Sequence, residues 1–459
     1  MPLPVRVRPV LLSAALLSVA SSVTGQTPQP TAPPQLGQDE LDLQARANVV
    51  QGSGARALGM GGAFLARADD ATAASWNPAG LSYLRLPEVS FVYSGSRLDS
   101  LETNAASRKD DRRHGRTPDF FAAVYPFDLG RVSGSAQVSF QRLISFEGER
   151  TINETFLDAT GQVVSALPSV VASAGGYDVV TLGTGVAVST NLRLGATINR
   201  WFNGYHQTLD RDTLRGGIPG HTTQEFDYDF SAWNLNLGVV WSPHADFNLG
   251  LVYKSAFTAD VQLNKSRTDL TVPSSSNQAS STDPGMSPIT LDFPAAIGVG
   301  GSWRPRSRLT VSADYTRSFW SKGEIRNFFS LPQARPGPGT PFIFPSLPYP
   351  SLDPSQPQHD TAQVRGGVEF VFIFGRVKLP VRAGAFSDRQ YVEAIDGTPP
   401  HFTGLTAGTG VVIGPVLVDV AFIRERGNYQ APGTTTAGTA VSVKSRRLVG
   451  SVIFRFPRH

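Results

Sequence analysis

Side chains able to do covalent or acid–base chemistry are few and scattered. Seven histidines are spread along the chain. Four of them, His114, His206, His221 and His401, are predicted in or beside loops, and none has metal-ligand spacing. A serine nucleophile needs a histidine held beside it by a third group, and no GxSxG, HExxH or phosphate loop occurs. Cysteine is absent, which excludes a disulfide framework, a thiolate nucleophile and a cysteine-ligated metal. The cluster Gly59, Gly61 and Gly62 comes nearest to a nucleotide motif, but Phe64 stands where its third Gly or Ala belongs and no clear strand precedes Gly59. No catalytic residue, metal or cofactor is predicted, and the protein is expected not to be an enzyme.

These glycines open a distinctive stretch, residues 54–81, GARALGMGGAFLARADDATAASWNPAGL. It is small and apolar at first, carries Asp69 and Asp70 in its middle and ends in Asn77-Pro78-Ala79-Gly80. Pro78 fixes its own φ and pushes Asn77 toward an extended conformation, so a turn is expected there. The stretch is the only part of the mature chain that reads as neither strand nor loop. A single such segment ahead of a long β array must be housed somewhere.

Composition narrows the class. Only 17% of residues are charged, 45 of 459 are glycine, and 40% are hydrophobic, yet no run of ~18 apolar residues could cross a membrane as a helix. A membrane β-barrel has this profile, because each strand hides its apolar residues behind alternate polar ones. The net charge of +4 is spread along the chain and does not indicate a nucleic-acid partner. Arg6 and Arg8 precede an apolar run at 9–20, followed by small residues at Ala20 and Gly25, so residues 1–25 read as a secretory signal. Residues 26–43 read as a Pro- and Gln-rich linker.

From residue 86 onward, alternation with a period of two dominates. Val132, Gly134, Ala136, Val138 and Phe140 share one face and Ser133, Ser135, Gln137 and Ser139 the other. Leu309, Val311, Ala313 and Tyr315 repeat this pattern against Thr310, Ser312, Asp314 and Thr316. About fourteen strands are expected, an even number as in bacterial single-chain barrels. Short links near 128–130, 190–191, 242–246, 304–307, 375–376 and 414–415 strictly alternate with long ones, giving one side of tight turns and one of loops. Phe127, Trp241, Trp303 and Phe374 each stand just before a short turn, a depth at which aromatic rings favour a membrane interface. No unpaired strand edge is tolerable in lipid, so the array must join its first strand to its last.

The leading stretch resembles the amino-terminal hatch of the outer-membrane hydrophobic-compound transporters, the long-chain fatty-acid and toluene transport proteins (OMPP1/FadL/TodX-like). LGLVYKSAF at 249–257, the hairpin at 291–321 and LPVRAG at 379–384 resemble strands of the same family, in family order. The resemblance implies an all-β fold, a ~14-stranded antiparallel transmembrane β-barrel at residues 85–459, with an N-terminal hatch at 44–84 inside it. It implies passive uptake of a hydrophobic small molecule, a fatty acid or hydrocarbon, by a monomeric, multi-pass outer-membrane protein. Both termini would be periplasmic and the protein would contact outer-membrane lipid and lipopolysaccharide. Hatch movement would rest on Gly59, Gly61, Gly62, Asp69, Asp70, Asn77, Pro78 and Ala79. Residues 54–64 and 68–81 also resemble barrel adaptors or shuttles of secretion systems that bind a protein partner, which is the alternative reading.

Outside the hatch, Lys254, Asp314, Arg365, Glu369 and Arg382 fall on the lumen face, where they are expected to pair with one another or with the hatch. The run RKDDRRHGR at 108–116 is placed in the first outer loop, where it is either solvated or meets lipopolysaccharide phosphates. The Pro-rich segment 322–359 carries Phe328, Phe329, Phe342, Ile343 and Phe344. With the apolar run 163–174 it is expected to cover the barrel mouth and dock a greasy ligand.

Overall fold

The computed structural model describes residues 52–457, apart from positions 106 and 131 and segments 158–159, 216–217, 272–277, 284–288, 323–324, 327–358, 391–396 and 432–438. The expected signal, the linker and the first residues of the expected hatch lie outside the described residues, as do Phe328, Phe329, Phe342, Ile343 and Phe344.

Period-two sequence becomes one closed antiparallel wall. Its strands are β1 (Glu88–Thr103), β2 (Ser107–Asp128), β3 (Ser133–Ser145), β4 (Gly148–Leu157), β5 (Val163–Ala187), β6 (Leu192–Phe202), β7 (Gly204–Arg215), β8 (Ile218–His244), β9 (Phe247–Lys254) and β10 (Phe257–Thr271). They continue as β11 (Gln278–Asp283), β12 (Ile289–Phe293), β13 (Ala296–Arg306), β14 (Leu309–Ser318), β15 (Ile325–Arg326), β16 (Thr361–Phe374), β17 (Val377–Arg389), β18 (His401–Ile413), β19 (Val416–Ala431) and β20 (Thr439–Arg455). Several strands are two halves of one wall position. β3 and β4 both lie between β2 and β5, and β6 and β7 both lie between β5 and β8. β9 with β10 and β13 with β12 do the same further on. Fourteen wall positions result, and pairing of β1 with β20, from Glu88↔Arg455 to Thr103↔Ala440, closes the ring.

Burial is inverted relative to a water-soluble protein. On β3, Val138 is 47% exposed while Ser135, Gln137 and Ser139 are buried. Of the four aromatics before short turns, Trp241, Trp303 and Phe374 are 46–61% exposed and Phe127 is half-buried. A wall one residue thick with its oily side outward is stable only against hydrocarbon. No helix among the described residues is long and apolar enough to cross a membrane.

Beyond that oily band the structure differs from the sequence-based expectation. The run 108–116 is not a loop: β2 carries it, paired with β1 on one side and β4 on the other. The segment 163–174 does not cover the mouth either, because it is the first half of β5. His114, His206, His221 and His401 likewise sit on β2, β7, β8 and β18. The polar run 108–116 and the apolar run 163–174 both lack the alternation that marks a strand, yet the hydrogen-bond ladder continues through them.

The leading residues form α1 (Ala55–Gly59), α2 (Ala73–Trp76) and a 3₁₀ turn (Pro78–Tyr83). Asn77 caps the turn by accepting from the Ala79 amide, and Pro78 occupies its first position, where a missing N–H costs nothing. Every one of these elements packs against inward-facing strand residues.

Candidate functional site

The leading segment rests on glycine. A methyl group added at Gly185, Gly195, Gly238, Gly250, Gly367 or Gly384 would lie 2.1–2.6 Å from an atom of residues 60–78, in five of the six cases a backbone atom. These positions sit on β5, β6, β8, β9, β16 and β17, and Gly185↔Gly195↔Gly238 and Gly367↔Gly384 are cross-strand neighbours. Without side chains the wall lets another backbone approach to contact distance.

Hydrogen bonds then fix the seat at several points. Asn77 donates to Leu65 O at 2.8 Å and to Val239 O of the wall at 3.1 Å. Asp314 accepts from the Phe64 and Leu65 amides at 2.6 and 2.9 Å. Thr406 accepts from the Gly61 amide and donates to Gly59 O. Ser135 and Gln137 donate to Leu81 O and Ala71 O. Gly61 and Gly62 adopt positive φ of 69° and 77°, which explains glycine at both. Gly59 packs against Gly408.

Of the charged residues assigned to the lumen, Asp314 and Glu369 bond to the leading segment, Arg382 pairs with Glu369, and Arg365 donates to Gln363. Glu369 takes Arg67 at 2.5 Å, Arg382 at 2.7 Å and Arg56 at 3.5 Å, while Arg382 also holds Asp419 at 2.7 Å. Arg56 bridges Asp69 at 2.7 Å and Asp70 at 3.2 Å, and Asp70 also accepts from the Thr72 amide and hydroxyl. Burial works against charge on Arg56, but Asp69, Glu369 and Asp70 outweigh it and hold its pKa well above the ordinary value. Burial and the nearby Arg56 lower that of Arg67 despite Glu369.

A second feature escaped sequence reasoning. Eight buried aromatic rings form a belt inside the wall: Phe146, Tyr177, Trp201, Tyr205, Phe230, Phe257, Phe293 and Trp320. Neighbouring centroids lie 4.1 Å apart for Tyr177–Phe230, 4.6 Å for Phe257–Phe293 and 4.9 Å for Trp201–Phe257. The belt follows the level where wall positions break into two halves, at Phe146 before β4, Asn203 between β6 and β7, and Phe257 opening β10. Asn203 has a positive φ of 76° there. A sequence signal existed: the polar face Arg193, Thr197, Asn199 ends in Trp201.

Against the belt lies a cavity with about 40 Å³ of free space, bounded by Trp201, Phe257 and Trp320 and by Thr181, Asn199, Asn234, Asn236 and Lys254. Ala74 and Ser75 of the leading segment form part of its lining. That space suits about three waters, so an acyl chain would need side chains or the leading segment to move.

A closed barrel that is oily outside, polar inside and occupied at one level by aromatic rings defines the class of membrane-spanning β-barrels. The model of the family described as outer membrane protein transport protein (OMPP1/FadL/TodX) matches residues 176–329. The fold is shared with a solved FadL homologue of Pseudomonas aeruginosa, at 14% identity and TM-score 0.58, covering 88% of this chain and 99% of that one. It is shared with the toluene transporter TodX of P. putida, at 16% identity and TM-score 0.55, covering 89% and 100%. The toluene transporter TbuX of Ralstonia pickettii matches at 18% identity and TM-score 0.53, covering 89% and 99%. No curated protein sequence matches the chain. The resemblance read from the sequence, and with it the all-β barrel, is borne out by these likenesses.

Proposed function

We propose that the protein is an outer-membrane channel for passive uptake of hydrophobic compounds, fatty acids or hydrocarbons, with residues 44–84 as its hatch. The observation that carries this reading is the aromatic belt facing a cavity that the hatch itself helps to line. An apolar site gains ~0.8 kcal/mol per buried methylene, whereas the phosphate and sugar layer outside is a poor solvent for such molecules. An occupant of the cavity touches Ala74 and Ser75, so its binding bears directly on α2 and on the Asn77-Pro78 turn beside it. Lys254, also in the lining, suits a carboxylate head. The tight-turn end faces the periplasm in this reading, both termini are periplasmic, the protein acts as a monomer, and Phe328, Phe329, Phe342, Ile343 and Phe344 offer the first docking surface.

The test is uptake of radiolabelled oleate and of toluene by cells carrying the chain or its Asn77→Ala, Pro78→Ala double variant. Uptake is expected to fall for the variant while the barrel keeps its heat-modifiable mobility on gels. Normal uptake by a variant with an intact barrel removes the hatch from the mechanism. Absence of uptake by the unaltered chain removes the channel reading.

A further inference from the structure

The outer surface of the wall carries a charge pattern that ligand transport does not use. Cross-strand register aligns His114 of β2, Arg97 of β1, Arg446 of β20 and Arg424 of β19 in one row, each directly opposite the next. Two residues further along, Arg112, Asp99, Lys444 and Arg426 form a second row on the same strands. Side chains two apart on a strand share a face, and Leu448 and Phe422, next below Arg446 and Arg424, are among the exposed apolar residues of the oily band. The cations therefore face outward, just past that band. Across the two rows six are Arg or Lys and Asp99 is the one acid.

Asp99 is engaged by Arg97 at 2.9 Å and Arg112 at 3.2 Å. Arg424, Arg426, Lys444 and Arg446 are exposed, and no ion pair involves them among the described residues. The position of the rows along the wall is informative. Ten residues separate Arg446 from Phe456, the aromatic at the tight-turn end. At ~3.4 Å per residue and a tilt of ~40° that is about 26 Å of height, the full thickness of the apolar band in outer-membrane barrels. The rows thus stand at the far interface of the bilayer. Elsewhere the wall also carries acids past the oily band, Asp229, Asp260 and Asp292 on β8, β10 and β12, and there Arg317 of β14 is paired with Asp360.

We propose that these four strands form a docking surface for a phosphorylated, multiply acylated glycolipid of the outer leaflet, the lipid A type. Its acyl chains would lie on Phe422, Leu448 and Val452 and its phosphates between the two cationic rows. The choice of occupant follows from charge complementarity. Four adjacent strands at ~4.8 Å spacing present a patch about 14 Å wide and about 7 Å tall, broad enough to meet two phosphates on one headgroup. Guanidinium forks are suited to bidentate phosphate contacts, and a phospholipid with a single phosphate would leave most of the cations unmet. The inference rests on the orientation proposed above, with the tight turns periplasmic.

The test uses the full chain in zwitterionic detergent and its quadruple variant Arg424→Gln, Arg426→Gln, Lys444→Gln, Arg446→Gln. Native mass spectrometry is read after addition of bisphosphorylated lipid A, phosphatase-treated lipid A, phosphatidylglycerol or inorganic phosphate. Bisphosphorylated lipid A is expected to be retained at least tenfold more by the native chain than by the variant, and at least tenfold more than either the dephosphorylated form or phosphatidylglycerol. Inorganic phosphate at equal concentration is expected not to displace it. Equal retention by a variant that keeps the heat-modifiable mobility of a folded barrel overturns the proposal, as does equal retention of phosphatidylglycerol. A companion variant with lysine at the three arginine positions keeps the charge but not the forks and is expected to retain the glycolipid at an intermediate level, so retention as low as that of the glutamine variant would also overturn it. None of these readouts involves ligand uptake, so they stand apart from the transport tests.

Discussion

Replacing Gly238 by alanine asks whether the leading segment is seated on bare backbone. The added methyl would lie 2.1 Å from Asn77 Oδ1, 2.8 Å from Pro78 Cδ and 3.0 Å from the Ala79 amide nitrogen. Asn77 is fully buried and cannot retreat without loosening its bonds to Leu65 O, Val239 O and the Ala79 amide. A typical hydrogen bond contributes ~1 kcal/mol net, and a buried partner left unsatisfied costs ~1–3 kcal/mol. Loss of two such bonds raises the seated state by about 2–4 kcal/mol, which increases transient opening roughly 30- to 1,000-fold. The chain has no cysteine, so Ser53→Cys creates a single buried thiol. Ser53 is tied to the segment through Ser75 and Trp76. Its maleimide labelling rate reports opening, with Gly450→Ala as the control because nothing lies within 4 Å of a methyl there. Labelling is expected to accelerate at least 30-fold for Gly238→Ala and to stay unchanged for Gly450→Ala. Equal rates in the two variants, with both barrels intact on gels, would refute the seat.

The ionic cluster and the aromatic belt give two more expectations. Glu369→Gln leaves the guanidiniums of Arg56, Arg67 and Arg382 facing a neutral amide, and removing one partner of a buried ion pair costs ~3–5 kcal/mol; urea unfolding in detergent should show a loss of that order, with Glu369→Asp milder. Trp201→Ala removes ring contacts with Phe257, Phe230 and Phe293, each worth ~0.5–1.5 kcal/mol beyond area, and it should weaken displacement of a fluorescent fatty acid about tenfold or more. Unchanged displacement would mean that ligand bypasses the belt.

Much of the barrel was readable because its wall is one residue thick. Ser135, Gln137 and Ser139 had to face one way and Val138 the other, and the structure keeps that division. Strand number and turn spacing followed from the same period. The upper halves of β1 and β2 were hidden because Leu98 and Leu101 are the only large apolar residues in 96–117, so nothing in the alternation distinguishes them from a solvated loop. The belt was hidden for another reason: its eight rings are spread over seven wall positions, one or two from each, so no local window shows a cluster. The glycine seat had the same fault, since Gly185, Gly195 and Gly238 become neighbours only when strands pair. Local turn chemistry, by contrast, survived intact, as the Asn77-Pro78 cap shows.

The wall is much taller than the bilayer it crosses. β8 runs for 27 residues and β5 for 25, where 9–11 are enough to cross. The surplus continues past the oily band as a hydrogen-bonded collar. In the orientation proposed above, that collar lifts the mouth of the molecule well clear of the outer face of the bilayer, so a solute from the medium meets the mouth before it meets the lipid.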